Sequence, residues 1–268
     1  MPLCSLFPRH VVLPLALALA APLACAQLFD AVRLAPLPPG QDGGRLGVAV
    51  VAGTQYRGSD ERRTLVVPAI DYQWRNGWFA GVSNGIGYNA SRRPEFQYGA
   101  RLTADLGRDE SRSTVLRGMG SIDAQPELGL FFNRLWGASG GLTSSLRQGS
   151  GNQRDGLVLD LGGYYSAALG TRSRLSVGVG TQWANASYMQ DYFGVTAAQS
   201  ARTGYGVASP GAAWNNVSMS LGFIHRLDDR TSVLAGLTRI SLQGAARDSV
   251  LVRESSSTTG VLALTYAF

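Results

Sequence analysis

Five charged side chains, Asp71, Arg101, Asp105, Glu127 and Asp160, fall at positions where an extended strand turns them inward. Arginine presents a planar fork of donors that matches a carboxylate two bonds at a time. In a narrow interior this set builds a network of ion pairs and hydrogen bonds. Each member then needs a partner, because an unpaired charge in a poorly hydrated space costs several kcal/mol. In a wider, wet interior the same residues form a polar lining that selects small solutes. The packed network is the reading that carries more weight.

Other chemistry is starved of parts. The chain has two histidines, His10 and His225, and two cysteines, Cys4 and Cys25, and no lysine at all. His10 and both cysteines sit in the first 26 residues, which read as a removable leader. The rest of the chain offers no thiol nucleophile, disulfide, cysteine metal site or serine–lysine pair. His225 shares the outward face of Val217–Phe223 and lies near the Asp228 turn, away from the acids. The runs Ser59-Asp60-Glu61 and Gly107-Arg108-Asp109-Glu110-Ser111 lack the spacing of a calcium loop. Gly149-Ser150-Gly151-Asn152 lacks the Gly-Lys-Ser/Thr of a phosphate cradle. No catalytic residue, cofactor or metal is expected.

The elements that must position these charges are strands. Alternating segments run over 45–55, 64–74, 78–89, 96–106, 123–135, 138–148, 157–168, 173–184, 214–227, 231–242 and 258–268. In 96–106, Phe96, Tyr98, Ala100, Leu102, Ala104 and Leu106 face one way, and Gln97, Gly99, Arg101, Thr103 and Asp105 the other. The pattern predicts an all-β, transmembrane antiparallel β-barrel, with one face to lipid and one to the lumen. A mean hydropathy of +0.01 fits, since the two faces average out. Tight turns are expected at Arg75-Asn76-Gly77, Gly170-Thr171-Arg172 and Asp228-Asp229-Arg230, and long loops at 107–122, 149–156, 185–213 and 243–257. Eleven segments conflict with the even strand number of single-chain bacterial barrels. Counting back from the C-terminus puts the Arg75-Asn76-Gly77 turn on the wrong side. Twelve strands are therefore expected, one of them hidden, with ten as the alternative.

Both ends of the chain point to the outer membrane of a Gram-negative bacterium. Leu262, Leu264, Tyr266 and Phe268 share one face of a closing strand with a terminal aromatic. Residues 1–26 combine Arg9, the apolar stretch Val11–Ala21 and Ala24-Cys25-Ala26, a leader too short to span a bilayer. Cleavage between Ala26 and Gln27 is expected; acylation of Cys25 is disfavoured by Pro22, where a lipoprotein signal needs a branched aliphatic residue. A Pro/Gly-rich, disordered segment at 27–43 and a barrel over 44–268 complete the expected organisation. The formal net charge is +6, with arginine supplying every basic side chain. The arginines form no stripe interleaved with aromatics, so nucleic acid is not an expected partner. Outer-membrane lipids and lipopolysaccharide are, as is the barrel-assembly machinery during insertion.

Several segments together resemble the MltA-interacting protein (MipA/OmpV) family of outer-membrane proteins. They are Gly53–Glu61, Asp71–Phe79, Tyr98–Leu102, Leu116–Gly120, Ser145–Gly149, Tyr188-Met189-Gln190 with Tyr192-Phe193-Gly194-Val195, and Thr259–Phe268. The family pattern has Gly-Asp-Ile where this chain has Gly120-Ser121-Ile122. The resemblance implies a non-enzymatic barrel tied to the murein-synthesising machinery, holding a lytic transglycosylase near a penicillin-binding protein. The residues themselves leave a small-solute diffusion channel open as the alternative, with an outer-membrane hydrolase ranked last.

Overall fold

The computed structural model describes residues 32–34 and 41–268. The expected leader, its expected Ala26–Gln27 cleavage junction and residues 27–31 and 35–40 of the Pro/Gly-rich segment lie outside the described residues. The chain forms a closed antiparallel barrel of twelve strands, each paired with its sequence neighbours, with the first paired to the last. The strands are β1 (Gly43–Thr54), β2 (Arg62–Gln73), β3 (Trp78–Gly81), β4 (Gly85–Asn89), β5 (Phe96–Asp105) and β6 (Gln125–Leu135). They continue with β7 (Gly140–Ser150), β8 (Gly156–Leu169), β9 (Ser173–Ala184), β10 (Ala213–Arg226), β11 (Thr231–Leu242) and β12 (Ser256–Ala267). Among the described residues three short α-helices, α1 (Ala186–Phe193), α2 (Ala197–Thr203) and α3 (Gly244–Arg247), sit in the long connections.

The hidden strand lies inside 78–89. That stretch is two strands, β3 and β4, folded back on each other with Gly81 opposite Gly85 and Trp78 opposite Tyr88. Gly85 opens β4 at φ +75°, a conformation that an L side chain rarely adopts. With the hairpin counted, the Arg75-Asn76-Gly77 turn joins the other short turns and both strand-bearing chain ends on one side of the barrel, the terminal end. The long connections gather at the opposite, loop end.

Because β3 and β4 are short, the wall is low at this point. β2 pairs with β3 only over Asp71–Gln73. The carbonyl of Ile70 turns to this side, accepting from Val82 N at 2.9 Å. By the alternation of the strand, Pro68 turns the same way. Its missing N–H thus falls on an edge that has no neighbouring strand to pair with at that height.

Closure is made by eight register pairs from Arg45↔Ala267 to Ala52↔Gly260. Gly44 N donates to Phe268 O at 3.0 Å and Phe268 N to Gly44 O at 3.1 Å. Leu262, Leu264, Tyr266 and Phe268 are all exposed on the outer surface. They continue an apolar exterior that includes Val48, Val66, Leu102, Leu128, Leu130, Val177, Val179, Met219 and Leu237. Aromatics collect at the terminal end of this belt, where Trp78 meets Tyr88 at 5.5 Å and Tyr98 meets Phe132 at 6.5 Å between ring centroids. An apolar band edged by aromatics is what a bilayer and its interface select.

Candidate functional site

The inner surface has two characters. Across β1, β2 and β12 it is apolar, with Ala49, Val51, Val67 and Ala263 buried against Leu65, Leu234 and Val261. Across β5 to β10 it is charged and polar. Gly129 is what lets the charged side fit. It stands between Arg101 on β5 and Arg147 on β7. A Cβ there would meet Arg101 Cγ at 3.2 Å and Arg147 Cγ at 3.4 Å.

Arg147 is the hub. Its Nη1 lies 2.7 Å from Glu127 Oε2 and its Nη2 lies 2.9 Å from Asp160 Oδ2. Both carboxylates are almost fully buried, at 1% exposure. Their remaining oxygens are also used: Glu127 Oε1 accepts from Ser150 Oγ at 2.6 Å, and Asp160 Oδ1 from Gln182 Nε2 at 2.8 Å. Gln182 Oε1 in turn accepts from Asn216 Nδ2 at 3.4 Å and from Arg57 Nη1. Arg57 comes from the β1–β2 loop, so this last bond runs across the lumen from one side of the barrel to β9. Two carboxylates sharing one guanidinium, with every oxygen accepting a hydrogen bond, is the arrangement in which buried charge is tolerated.

The other sequence-derived residues join the same interior. Arg101, at 2% exposure, donates from Nη2 to Ser145 Oγ at 2.9 Å and from Nη1 to the Asn84 carbonyl at 3.3 Å. Asp105 accepts from Tyr192 Oη at 2.5 Å and from Gly151 N at 3.3 Å. Asp71 stands apart. It faces Arg45 across the β1–β2 register, and its buried Oδ1 has no hydrogen-bond partner among the described residues. Arg57 and Tyr192 reach this interior from loops, and Arg147 and Gln182 from the inner faces of β7 and β9; none of the four is among the site residues derived from the sequence. Arg57, Arg147, Tyr188 and Tyr192 do fall in the segments that carry the family resemblance.

At the loop end the interior is capped. Asn185 Oδ1 accepts from Tyr188 N at 3.0 Å, starting α1, and from Leu157 N at 3.0 Å, fixing the helix to β8. Tyr188, Met189, Tyr192 and Phe193 then pack with Ile122, Val158, Ala184, Leu242 and Ala246 from the loops and the strand ends beneath them. Tyr188 and Tyr192 stack at 4.5 Å. Burial pushes the Tyr188 hydroxyl up to about 12, and burial next to Asp105 raises that of Tyr192 strongly. Arg108 Nη1 donates to the Tyr192 carbonyl at 3.0 Å, and Ser249 Oγ to that of Phe193 at 2.7 Å. A cavity of about 90 Å³ remains beside the cap, bordered by Arg57, Arg108, Arg112 and Tyr192.

At the terminal end Val32, Arg33 and Leu34 lie inside the barrel. Val32 is buried against Phe79 and Phe131.

His225 is on the outer side of β10, with its ring beside Phe223 and its Nδ1 2.8 Å from Ser173 Oγ. The hydroxyl neighbour is a contact that the sequence did not reveal. The pair faces outward, and among the described residues no carboxylate is hydrogen-bonded to this imidazole. Among the described residues no three His, Cys, Asp or Glu side chains converge to hold a metal ion.

A family model described as MltA-interacting protein MipA matches residues 46–268. The chain belongs to the MipA family. Similar solved structures include the KdgM porin, at 10% identity and TM-score 0.45, over 84% of this chain and 99% of that one. The NanC porin is similar at 8% identity and TM-score 0.46, over 82% and 98%. An outer membrane channel from Pseudomonas putida F1 is similar at 13% identity and TM-score 0.44, over 87% and 97%. No curated protein matches the chain in sequence. Within this MipA-family barrel, Arg57, Arg101 and Arg147 of the lumen network and Tyr188 and Tyr192 of its cap fall in the segments of the resemblance, whereas Glu127, Asp160 and Gln182 do not.

Proposed function

We propose that this MipA-family barrel is a non-enzymatic, non-conducting scaffold of the Gram-negative outer membrane, with its terminal end in the periplasm. The observation that carries this is the crossed and capped interior: the Glu127–Arg147–Asp160–Gln182–Arg57 chain under the α1 cap. Such a filling stiffens a barrel and narrows the path a solute would take through the described interior. In this reading the useful surface is the periplasmic rim, made of the turns 74–77, 90–95, 136–139, 170–172 and 227–230. The family's description as MltA-interacting supports a lytic transglycosylase as the partner there; a penicillin-binding protein as the second client is what the sequence resemblance alone implies. The experiment is co-purification from detergent-solubilised envelopes with and without rim substitutions such as Arg172→Glu with Asp229→Arg. Retention of the transglycosylase by the parent and its loss from the variant support the scaffold. Equal retention, or none in either case, counts against it.

A small-solute channel is the second reading. It is favoured by the inner flank of β9 to β11, where Gly178, Gly180, Ser218, Ser220, Gly222 and Gly236 leave the wall thin and polar.

A further inference from the structure

Residues 32–34 are held in the lumen almost wholly by their main chain. Asn84 reads Arg33 on both sides, its Oδ1 accepting from Arg33 N at 3.0 Å and its Nδ2 donating to Arg33 O at 3.3 Å. Asn133 Nδ2 donates to Val32 O at 2.8 Å, and Gln97 Nε2 to Leu34 O at 3.3 Å. Three carboxamides thus offer the donors and acceptors that a neighbouring strand would offer. Side-chain contacts add to this: Leu34 packs against the cluster that Val32 forms with Phe79 and Phe131. Val32 enters an apolar pocket between Phe79 and Phe131, whose rings meet edge-on at 5.8 Å. Arg33 extends over the Tyr164 ring, 5.5 Å from its centroid.

The clamp is prearranged by the barrel. Asn84 sits at the tip of the β3–β4 hairpin, and its own carbonyl is fixed by Arg101. Asn133 Nδ2 also donates to Gln97 Oε1 at 3.2 Å, which sets the two amides against each other. A hairpin as tall as its neighbours would carry its tip past this level, so the low wall and the clamp go together.

We propose that the terminal half of the lumen is a binding site for an extended polypeptide segment, read through its backbone and one small aliphatic side chain. The chain's own Val32–Leu34 fill it in cis, and an extended segment of a periplasmic protein can take the same seat in trans. Four hydrogen bonds, the Val32 and Leu34 packing and the Arg33–Tyr164 contact are set against the ordering of three residues, a short segment whose seat can exchange. The scaffold reading supplies only the side from which a partner arrives; the site itself stands without it.

The test uses the full chain, purified and folded in detergent, where both ends are accessible. Both native cysteines lie in the leader, so Val32→Cys gives a single reactive thiol. Its reaction with a soluble maleimide is expected to be at least tenfold slower than that of Asp229→Cys in the β10–β11 turn. An excess of a synthetic peptide with the sequence of residues 27–41 should raise the Val32→Cys rate at least fivefold. The same peptide with Asp at the Val32 position should not. Asn84→Ala with Asn133→Ala should raise the rate without peptide; if that pair gives no heat-modifiable folded band, Gln97→Ala serves the same purpose. Equal rates at the two cysteines would remove the seat. A protected Val32→Cys that ignores the peptide would show a permanent strut and overturn the exchangeable site, whatever the scaffold experiment gives.

Discussion

Tyr192, in the loop-end helix α1, donates its hydroxyl to Asp105 at the end of β5, at 2.5 Å. One bond therefore ties the cap of the barrel to the charged part of its wall. Tyr192→Phe removes the donor and leaves a buried carboxylate short of a partner, a loss of about 1–3 kcal/mol. Expected is a lower unfolding temperature with the β-sheet circular dichroism unchanged at about 25 °C. An unaltered transition would mean that the bond contributes nothing to the cap.

The same helix should open in alkali. The Tyr188 hydroxyl is raised by burial to about 12, against an ordinary value of 10.0. A raised value favours the folded state below the unfolded value and loses that contribution as pH climbs toward the folded one. Cap stability should be level up to about pH 10 and fall between there and about pH 12. Tyrosinate absorbance and proteolysis at Arg202 should rise together over that window. Ionisation of all tyrosines near pH 10 would contradict the buried cap.

Arg147→Ala leaves Glu127 and Asp160 facing each other without their shared cation. Breaking one side of a buried pair costs about 3–5 kcal/mol. Leu128→Ala, on the exposed face of β6, removes only outward apolar contact. In urea titrations of the folded band, Arg147→Ala should shift the midpoint several times further than Leu128→Ala. Similar shifts would argue that the interior is wet and the charges screened.

Most strands were legible because one lipid face and one inner face impose a strict period of two. The hidden hairpin was not, for a specific reason. The turn Val82–Asn84 has three residues, and Gly81 pairs with Gly85, so both strands keep odd residues inward. The alternation runs through the turn as if it were one strand; only Asn84-Gly85, a turn dipeptide, marks the break. The inward placement of Arg101, Asp105, Glu127 and Asp160 followed from parity alone. Their partners did not. Arg57 and Tyr192 reach the lumen from loops, where no period applies, and Arg147 lies on a strand read without regard to its charge. Asp71 shows the limit of parity: it points inward yet lies away from the Arg147 network.

Closure of the barrel at β1 and β12 makes the terminal aromatics sensitive. Replacing Tyr266 and Phe268 with Asp puts two charges at the interface, where the cost depends on depth, and removes the Phe268 ring that lies 6.1 Å from that of Tyr72. The variant should reach the periplasm and fail to yield a heat-modifiable band. Normal levels of that band would mean that other contacts close the barrel.

The central claim is that the interior is closed. Single-channel recording of the purified, folded chain in planar bilayers tests it most directly. With the lumen crossed by Arg57–Gln182 and capped by α1, the protein should insert and show no discrete conductance steps at moderate voltage. Regular steps from the parent protein, absent from heat-denatured controls, would contradict the scaffold account and establish the channel in its place.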